Sequence, residues 1–294
     1  LYLSRSITRP IVKLALSARK ITRAHDKSIK LEKLPNRNDE IGELSKALQE
    51  MTNDLQERIR ATAGFAADVA HELKNPLTSL RSAAETISRI DNQTQQQALM
   101  SVILEDVKRL DRLINDISQA SRIEAELAGT KRETVNFCEL VDNWVSMMKD
   151  RHSDVELTWT PPTNSKFKKY FEVSIHSGRI IQILDNMLLN AISFNPPDKN
   201  IEIKLTSASR SKNMLCFSIR DFGIGIPEAN LDTIFNRFYT QRPNNEAFGH
   251  HSGLGLSIAR QIAEAHNGRL YAMNGKENGA IFTLELPLTS TGQS

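Results

Sequence analysis

His71 carries the chemistry most easily read from this chain. It lies in the run Phe65 to Arg81, FAADVAHELKNPLTSLR, where Ala66, Val69, Leu73, Leu77 and Leu80 share one face of a predicted helix and His71 falls off it. An imidazole in water has a pKa of roughly 6.5, so at neutral pH one ring nitrogen keeps a lone pair for nucleophilic attack. Glu72, beside it, can take the proton from the other nitrogen. Asn75 stands one turn further along the same face, where an amide could orient a water. Pro76 removes the backbone hydrogen bond to the carbonyl of Glu72, and a kink is expected there. A lone histidine on a helix is ordinarily a solvated or packed side chain, so its neighbours decide the reading.

A second group of motifs lies in the C-terminal half. Asn186-Met187-Leu188-Leu189-Asn190-Ala191 puts two amides one turn apart on one helix face. Asp221-Phe222-Gly223-Ile224-Gly225-Ile226-Pro227 joins a carboxylate to two glycines that let the chain turn tightly. Ile234-Phe235-Asn236-Arg237-Phe238-Tyr239 carries an aromatic pair. Ser252-Gly253-Leu254-Gly255-Leu256 opens a helix whose N-terminal amides can face phosphate. The roughly 25 residues from Ile226 to His251 are long for a plain connection and suit a lid. Singly these motifs are weak: a short glycine motif is most often a turn, paired amides are commonly solvated, and Phe235 with Phe238 is commonly core.

The elements that must position these residues follow from periodicity. The first 130 residues are sparse in aromatics and helical in pattern, and a boundary is expected near Thr130. Ile7, Ile11, Leu14, Ala18 and Ile21 form a coiled-coil seam, His25 to Asn38 reads as a connector, and Ile41, Leu44, Leu48, Met51, Leu55 and Ile59 resume the seam. The steps Met51 to Leu55 to Ile59 amount to a stutter. A partner helix spans about Gln95 to Ala128, with Ile103, Val107, Leu110, Ile114 and Ile117 as its stripe and Leu99 and Leu113 widening it. Beyond Thr130, helices are predicted from Asn136 to Arg151, Gly178 to Phe194 and Leu254 to His266. Strands are predicted around Val155 to Trp159, Phe171 to Ile175, Ile201 to Leu205, Met214 to Arg220, Leu270 to Met273 and Ala280 to Leu286. This is a helical layer on a mixed, largely antiparallel sheet.

Bulk properties exclude several classes. With 38 basic and 35 acidic residues interleaved, the net charge of +3 gives no nucleic-acid signature. Cys138 and Cys216 fit neither a disulfide framework nor a metal site, which points to a reducing compartment, and both are expected in the core. No apolar run approaches the roughly 18 residues of a membrane span. The opening Leu1-Tyr2-Leu3 followed by Arg5 and Arg9 is how a chain can look just after leaving a bilayer on its cytoplasmic side.

Three resemblances gather these observations. Residues 4 to 58, with Pro10 and Asp39-Glu40-Ile41-Gly42-Glu43-Leu44, resemble a HAMP signal-relay domain, against the plainer alternative of any two-helix coiled coil. HELKNP with its partner helix resembles the dimerisation and histidine phosphotransfer domain of bacterial sensor histidine kinases. The C-terminal motifs, including the late Asn278-Gly279-Ala280-Ile281-Phe282, resemble in order those of the ATPase fold shared by histidine kinases, gyrase, a heat-shock chaperone family and the MutL repair proteins. The fold class implied is multidomain: a helical HAMP domain and a dimeric four-helix bundle, followed by an α/β sandwich ATPase domain. The boundaries are taken as 1–59, 60–130 and 131–294.

The resemblance further implies autophosphorylation of His71 by ATP with Mg²⁺, assisted by Glu72, and transfer to an aspartate of a response-regulator receiver domain, with Asn75 serving the reverse phosphatase reaction. Asn190 would give its carbonyl oxygen to Mg²⁺, Asn186 would support the phosphate network, and Asp221 would accept from the adenine amino group. Gly223, Gly225, Gly253, Leu254 and Gly255 would shape the nucleotide site, with Arg237 and Arg242 neutralising phosphate. The protein would be a homodimer without nucleic acid, the cytoplasmic portion of an inner-membrane protein whose membrane segment precedes Leu1. FAADVAHELKNPLTSLRSA, NAISFNP and RFYTQRP look like the ChvG/ExoS envelope-sensing type. Departures exist: Ser193 and Phe194 stand where many relatives have a basic residue and a tyrosine, and His251 where glycine or threonine is usual. A kinase-silent HAMP-linked scaffold, a regulator phosphatase, and a non-kinase ATPase of the same fold are the competing readings; HELKNP argues against the last.

Overall fold

The structure is a computed structural model that describes residues 8–12, 15–16, 39–129, 131–162, 171–207, 213–239 and 253–289. Ile7, Leu14, Ala18, Ile21, the connector from His25 to Asn38, Thr130, Arg242, His251 and Ser252 lie outside the described residues. The chain divides into two compact units, Leu1–His71 and Glu72–Ser294.

In the first unit residues 9–12 and 15–16 are helical and Pro10 is buried. Helix α1 (Glu40–Ile87) begins at Asp39, whose carboxylate accepts the Gly42 N–H at 3.1 Å and whose carbonyl accepts the Glu43 N–H at 3.0 Å. Glu40 and Glu43 in the first turn complement the positive end of the helix dipole. The seam residues Leu44, Met51, Leu55 and Ile59 are exposed along this helix, an apolar row left for a partner.

In the second unit α1 runs on to Ile87, and α2 (Gln93–Gly129) starts after Asn92, whose side chain accepts the N–H groups of Thr94 and Gln95. The predicted stripe of α2 divides into a buried row and an exposed row. Leu113 is fully buried beside the half-buried Ile103, Leu110 and Ile117, whereas Val107 and Ile114 are exposed together with Met100 and Leu104. A step of seven residues keeps a side chain near one face, and the rows 103, 110, 117 and 107, 114 are offset by about 40°. An apolar face this wide, with one edge left exposed, suits a bundle with more members than one hairpin.

The remaining elements form an α/β sandwich. They are β1 (Glu133–Asn136), α3 (Phe137–Arg151), β2 (Leu157–Thr160), β3 (Glu172–Ile175), α4 (Ser177–Phe194), β4 (Ile201–Ser207), β5 (Met214–Arg220), α5 (Gly255–Ala265), β6 (Arg269–Asn274) and β7 (Ala280–Pro287). Short 3₁₀ turns at Glu228–Asn230 and Thr233–Phe235 order the beginning of the expected lid. The main sheet has the order β2-β4-β5-β7-β6, parallel at β2–β4 and antiparallel elsewhere, as the mixed pattern predicted. β1, which pairs antiparallel with β3, was not expected. Its four residues, Glu-Thr-Val-Asn, are too short and polar to show alternation.

Alternation sets the core. Leu215, Phe217 and Ile219 of β5 and Phe282, Leu284 and Leu286 of β7 are buried. On that face Phe217 meets the rings of Phe137 and Trp144 edge-on at 5.9 and 6.2 Å. The indole N–H of Trp144 donates to Asp185 and that of Trp159 to Asp142, at 2.8 and 2.6 Å, satisfying both polar tips. Cys138 is in the core as expected; Cys216 is not. Its strand position between Leu215 and Phe217 turns it to the opposite face, where its thiol donates to Glu285 at 3.6 Å.

Candidate active site

His71 and Asn75 are exposed on α1, Glu72 is half-buried and Pro76 is buried. Thr78 Oγ1 donates to the Lys74 carbonyl at 2.8 Å, and α1 continues unbroken through Pro76 to Ile87. Glu72 is tied across the hairpin: the Arg109 guanidinium reaches its carboxylate at 3.3 Å. Nothing local in the sequence marks Arg109, because its partner is 37 residues away.

The nucleotide motifs are brought together by α4, the turn after β5, the start of α5 and the β6–β7 hairpin. Burial pushes the Asp221 carboxyl upward, opposed by backbone donors, with Arg220 nearby lowering it. Its Oδ1 accepts the N–H of Gly223 at 3.0 Å and of Ala280 at 3.1 Å, and among the described residues no bond to Oδ2 is found. One carboxylate oxygen is thus anchored and the other can receive a donor.

The glycines meet different demands. A Cβ on Gly223 would lie 2.2 Å from the Phe194 carbonyl oxygen, so close approach there is to the end of α4. Gly225 has φ +75 and Gly253 φ +71, the left-handed region. A Cβ on Gly279 would lie 1.9 Å from the Asp221 carbonyl oxygen. The late Asn278-Gly279-Ala280 run therefore seats the carboxylate loop against the hairpin.

Asn186 donates to the Gly255 carbonyl at 2.9 Å, joining the first turn of α5 to α4. Leu254, just before that turn, is fully buried, and its carbonyl accepts from the Ser257 hydroxyl. Asn190, one turn beyond Asn186, is half-buried and has no side-chain hydrogen bond among the described residues. A single amide oxygen fits Mg²⁺, which keeps few protein ligands and completes its shell with water and phosphate oxygens. Among the described residues no cluster of three or more His, Cys, Asp or Glu could hold a metal. Arg237 is half-buried just beyond the second 3₁₀ turn. Phe238, at φ +60, donates its N–H to the Gly253 carbonyl at 2.9 Å, joining the two described ends of the lid.

Asn195 and Asn274 were not singled out as site residues. Asn195 accepts the Phe222 N–H at 2.9 Å, and Asn274 binds both the N–H and the carbonyl of Ile226. Asn195 stands at a helix end before two prolines, a boundary signal that named the position without revealing its partner.

Comparison with known proteins bears on this arrangement. Residues 2–57 match the HAMP domain, residues 61–126 the His Kinase A (phospho-acceptor) domain, and residues 175–290 the Histidine kinase-, DNA gyrase B-, and HSP90-like ATPase. The Sensor protein ChvG of Agrobacterium fabrum is 43% identical over 300 residues, covering 99% of this chain and 50% of that protein. The Sensor protein ChvG of Rhizobium meliloti is 45% identical over 299 residues, covering 98% and 51%. The chain thus spans about half the length of these curated relatives. A crystal structure of histidine kinase ThkA in complex with response regulator protein TrrA aligns with a TM-score of 0.59 at 25% identity, covering 85% of this chain and 68% of that one.

Proposed function

The chain belongs to the HAMP-containing sensor histidine kinases, and we propose that it phosphorylates its own His71 with ATP and passes the phosphoryl group to an aspartate of a response-regulator receiver domain. The observation that carries this reading is an exposed His71, followed by Glu72 and Asn75, in the same chain as a loop built around buried Asp221.

Asp221 Oδ2 accepts the exocyclic amino group of adenine, while Oδ1 stays anchored by Gly223 and Ala280. Asn186 holds the first turn of α5 in register, and backbone N–H groups at that end of the helix face phosphate oxygens. Asn190 would hold Mg²⁺ through its amide oxygen, and the ion would supply neutralisation of phosphate charge. A nitrogen of His71 attacks the γ-phosphorus in line, the bond to the bridging oxygen breaks, and Glu72 takes the proton from the other ring nitrogen. Arg237 and Arg242 offset phosphate charge from the lid. In the reverse direction Asn75 orients the water that hydrolyses the regulator's aspartyl phosphate.

The exposed apolar rows of α1 and α2 support a homodimer whose hairpins complete a four-helix bundle. On this reading residues 1–59 relay the signal, 60–130 carry the phosphoacceptor and 131–294 bind ATP. No described helix is long and apolar enough to cross a membrane. We infer that the chain is the cytoplasmic portion of an inner-membrane protein from its similarity to the ChvG sensor proteins. The test is to label the chain with γ-labelled ATP and Mg²⁺, remove the nucleotide, and add a receiver domain. Label moving to the receiver supports the reading; label on the chain that no receiver accepts contradicts the transfer step.

A further inference from the structure

We propose that Asn195 and Asn274 are positioning residues of the base site, holding the loop from Asp221 to Pro227 by its backbone so that the Asp221 carboxylate discriminates adenine from guanine. This rests on the nucleotide reading of Asp221. The loop is gripped at two points by side-chain amides that come from different elements.

At the first, Asn195 ends α4, its own N–H donating to the Ala191 carbonyl at 3.0 Å. Its amide group is fixed by two carbonyls, Lys199 at 2.6 Å and Pro196 at 3.1 Å. With Nδ2 committed to acceptors, Oδ1 is the atom left for the loop, and it takes the Phe222 N–H at 2.9 Å. Asn195 thereby links the helix that carries Asn186 and Asn190 to the residue after Asp221.

At the second, Asn274 at the end of β6 accepts the Ile226 N–H at 2.8 Å and donates to the Ile226 carbonyl at 2.6 Å. Two bonds to one residue copy the pairing of a neighbouring strand and fix both rotation and distance. Between the grips lie Gly223 and Gly225, the latter at φ +75, a stretch whose glycines give it little stiffness of its own. A Cβ on Gly225 would lie 3.0 Å from Asn274 Oδ1, so amide and loop are closely fitted.

Asn274 is exposed and Asn195 half-buried, so neither is an apolar core residue. What their amides accomplish is loop placement. A carboxylate oxygen that accepts from the amino group of adenine faces the carbonyl of guanine unfavourably, and such discrimination depends on the acceptor being held in place. Freeing either grip lets the loop retreat from the wrong base, and selectivity falls.

The experiment is equilibrium titration of the full chain with ATP and with GTP, both with Mg²⁺, comparing the wild type with Asn274→Ala, Asn274→Asp, Asn195→Ala and Asp221→Asn. The expected result is an ATP preference in the wild type that Asp221→Asn abolishes. Asn274→Ala and Asn195→Ala each weaken ATP binding about tenfold and GTP binding less than about twofold, roughly the loss of one or two hydrogen bonds. Asn274→Asp has nearly the size of asparagine but sets an oxygen against the Ile226 carbonyl, and it loses at least as much as the alanine variant. Thermal melts identify any variant that fails to fold; exposed Asn274 then carries the test through its aspartate form. The proposal is overturned if all three asparagine variants keep the wild-type ATP to GTP ratio while Asp221→Asn abolishes it. If the wild type shows no preference, or Asp221→Asn leaves it intact, the base-site reading falls and the proposal falls with it.

Discussion

Arg109 Nη2 lies 3.3 Å from Glu72 Oε2, with the two side chains 12% and 24% exposed. Among the described residues Arg109 Nε and Asp106 Oδ2 are buried with no hydrogen-bond partner. Buried polar atoms without partners destabilise by about 1–3 kcal/mol each, so this cluster is a poor source of stability. Its evident effect is to hold the carboxylate that follows His71. Arg109→Gln is therefore expected to slow phosphorylation of His71 about tenfold at saturating ATP, with the KM for ATP unchanged. Initial-rate labelling across ATP concentrations checks this. A rise in KM at constant maximal rate would assign Arg109 to nucleotide binding instead.

The hairpin glycine and a helix glycine should respond oppositely to the same substitution. Gly279 has φ +82 and its added Cβ would overlap the Asp221 carbonyl. Gly279→Ala is expected to cost about 1–2 kcal/mol for the left-handed backbone and about 1–3 kcal/mol for overpacking. Gly64 lies inside α1, and an added Cβ there meets nothing within 4 Å. Gly64→Ala should stabilise by about 1 kcal/mol through helix propensity. Urea unfolding of both variants measures the two effects.

Acid should weaken the ATPase domain through His266. This side chain is 1% exposed, its Nδ1 bonded to the Ile262 carbonyl at 2.7 Å and its Nε2 accepting the His176 N–H at 3.1 Å. Burial lowers its pKa, as do the Arg132 and His176 charges, against the raising effect of the Ile262 carbonyl. A histidine with a depressed folded-state pKa binds fewer protons folded than unfolded. Its contribution is complete above the unfolded value near 6.5 and is lost as pH falls towards the folded value. Denaturation midpoints should drop below about pH 6.5, and His266→Gln should flatten that slope; an equal slope in the variant would remove His266 as its source.

Cys216 should be slow to alkylate although it is only partly buried. Desolvation, with the Glu285 charge and hydrogen bond adding, pushes its thiol up to about 11. At pH 8 the reactive thiolate is then about one part in a thousand. Glu285→Gln should speed iodoacetamide labelling at Cys216, followed by peptide mass spectrometry; an unchanged rate would leave burial as the whole cause.

Local pattern carried much of the fold. The strand Met214–Arg220 was bounded correctly because its apolar residues alternate, and helix Ser177–Phe194 began one residue before its expected start. What pattern could not supply was the orientation of individual side chains. Val107 and Ile114 looked continuous with Ile103 and Leu110, yet they are exposed because they lie about 40° further round the helix, at the outer edge of its apolar face. Cys216 was assigned to the core by residue type, and strand parity placed it outside. In the candidate site, the positions of His71, Asn186 and Asp221 were legible from motifs. Arg109, Asn195 and Asn274 were not, because their partners come from other elements through hydrogen bonds that leave no spacing in the sequence.

Phosphorylation of His71 is tested most directly by incubating the chain with γ-labelled ATP and Mg²⁺, beside His71→Gln, and treating the products with acid and alkali. The predicted result is label that survives alkali, is lost in acid and is absent from the variant. Retained ATP binding without label in the wild type, or equal label in His71→Gln, would contradict it.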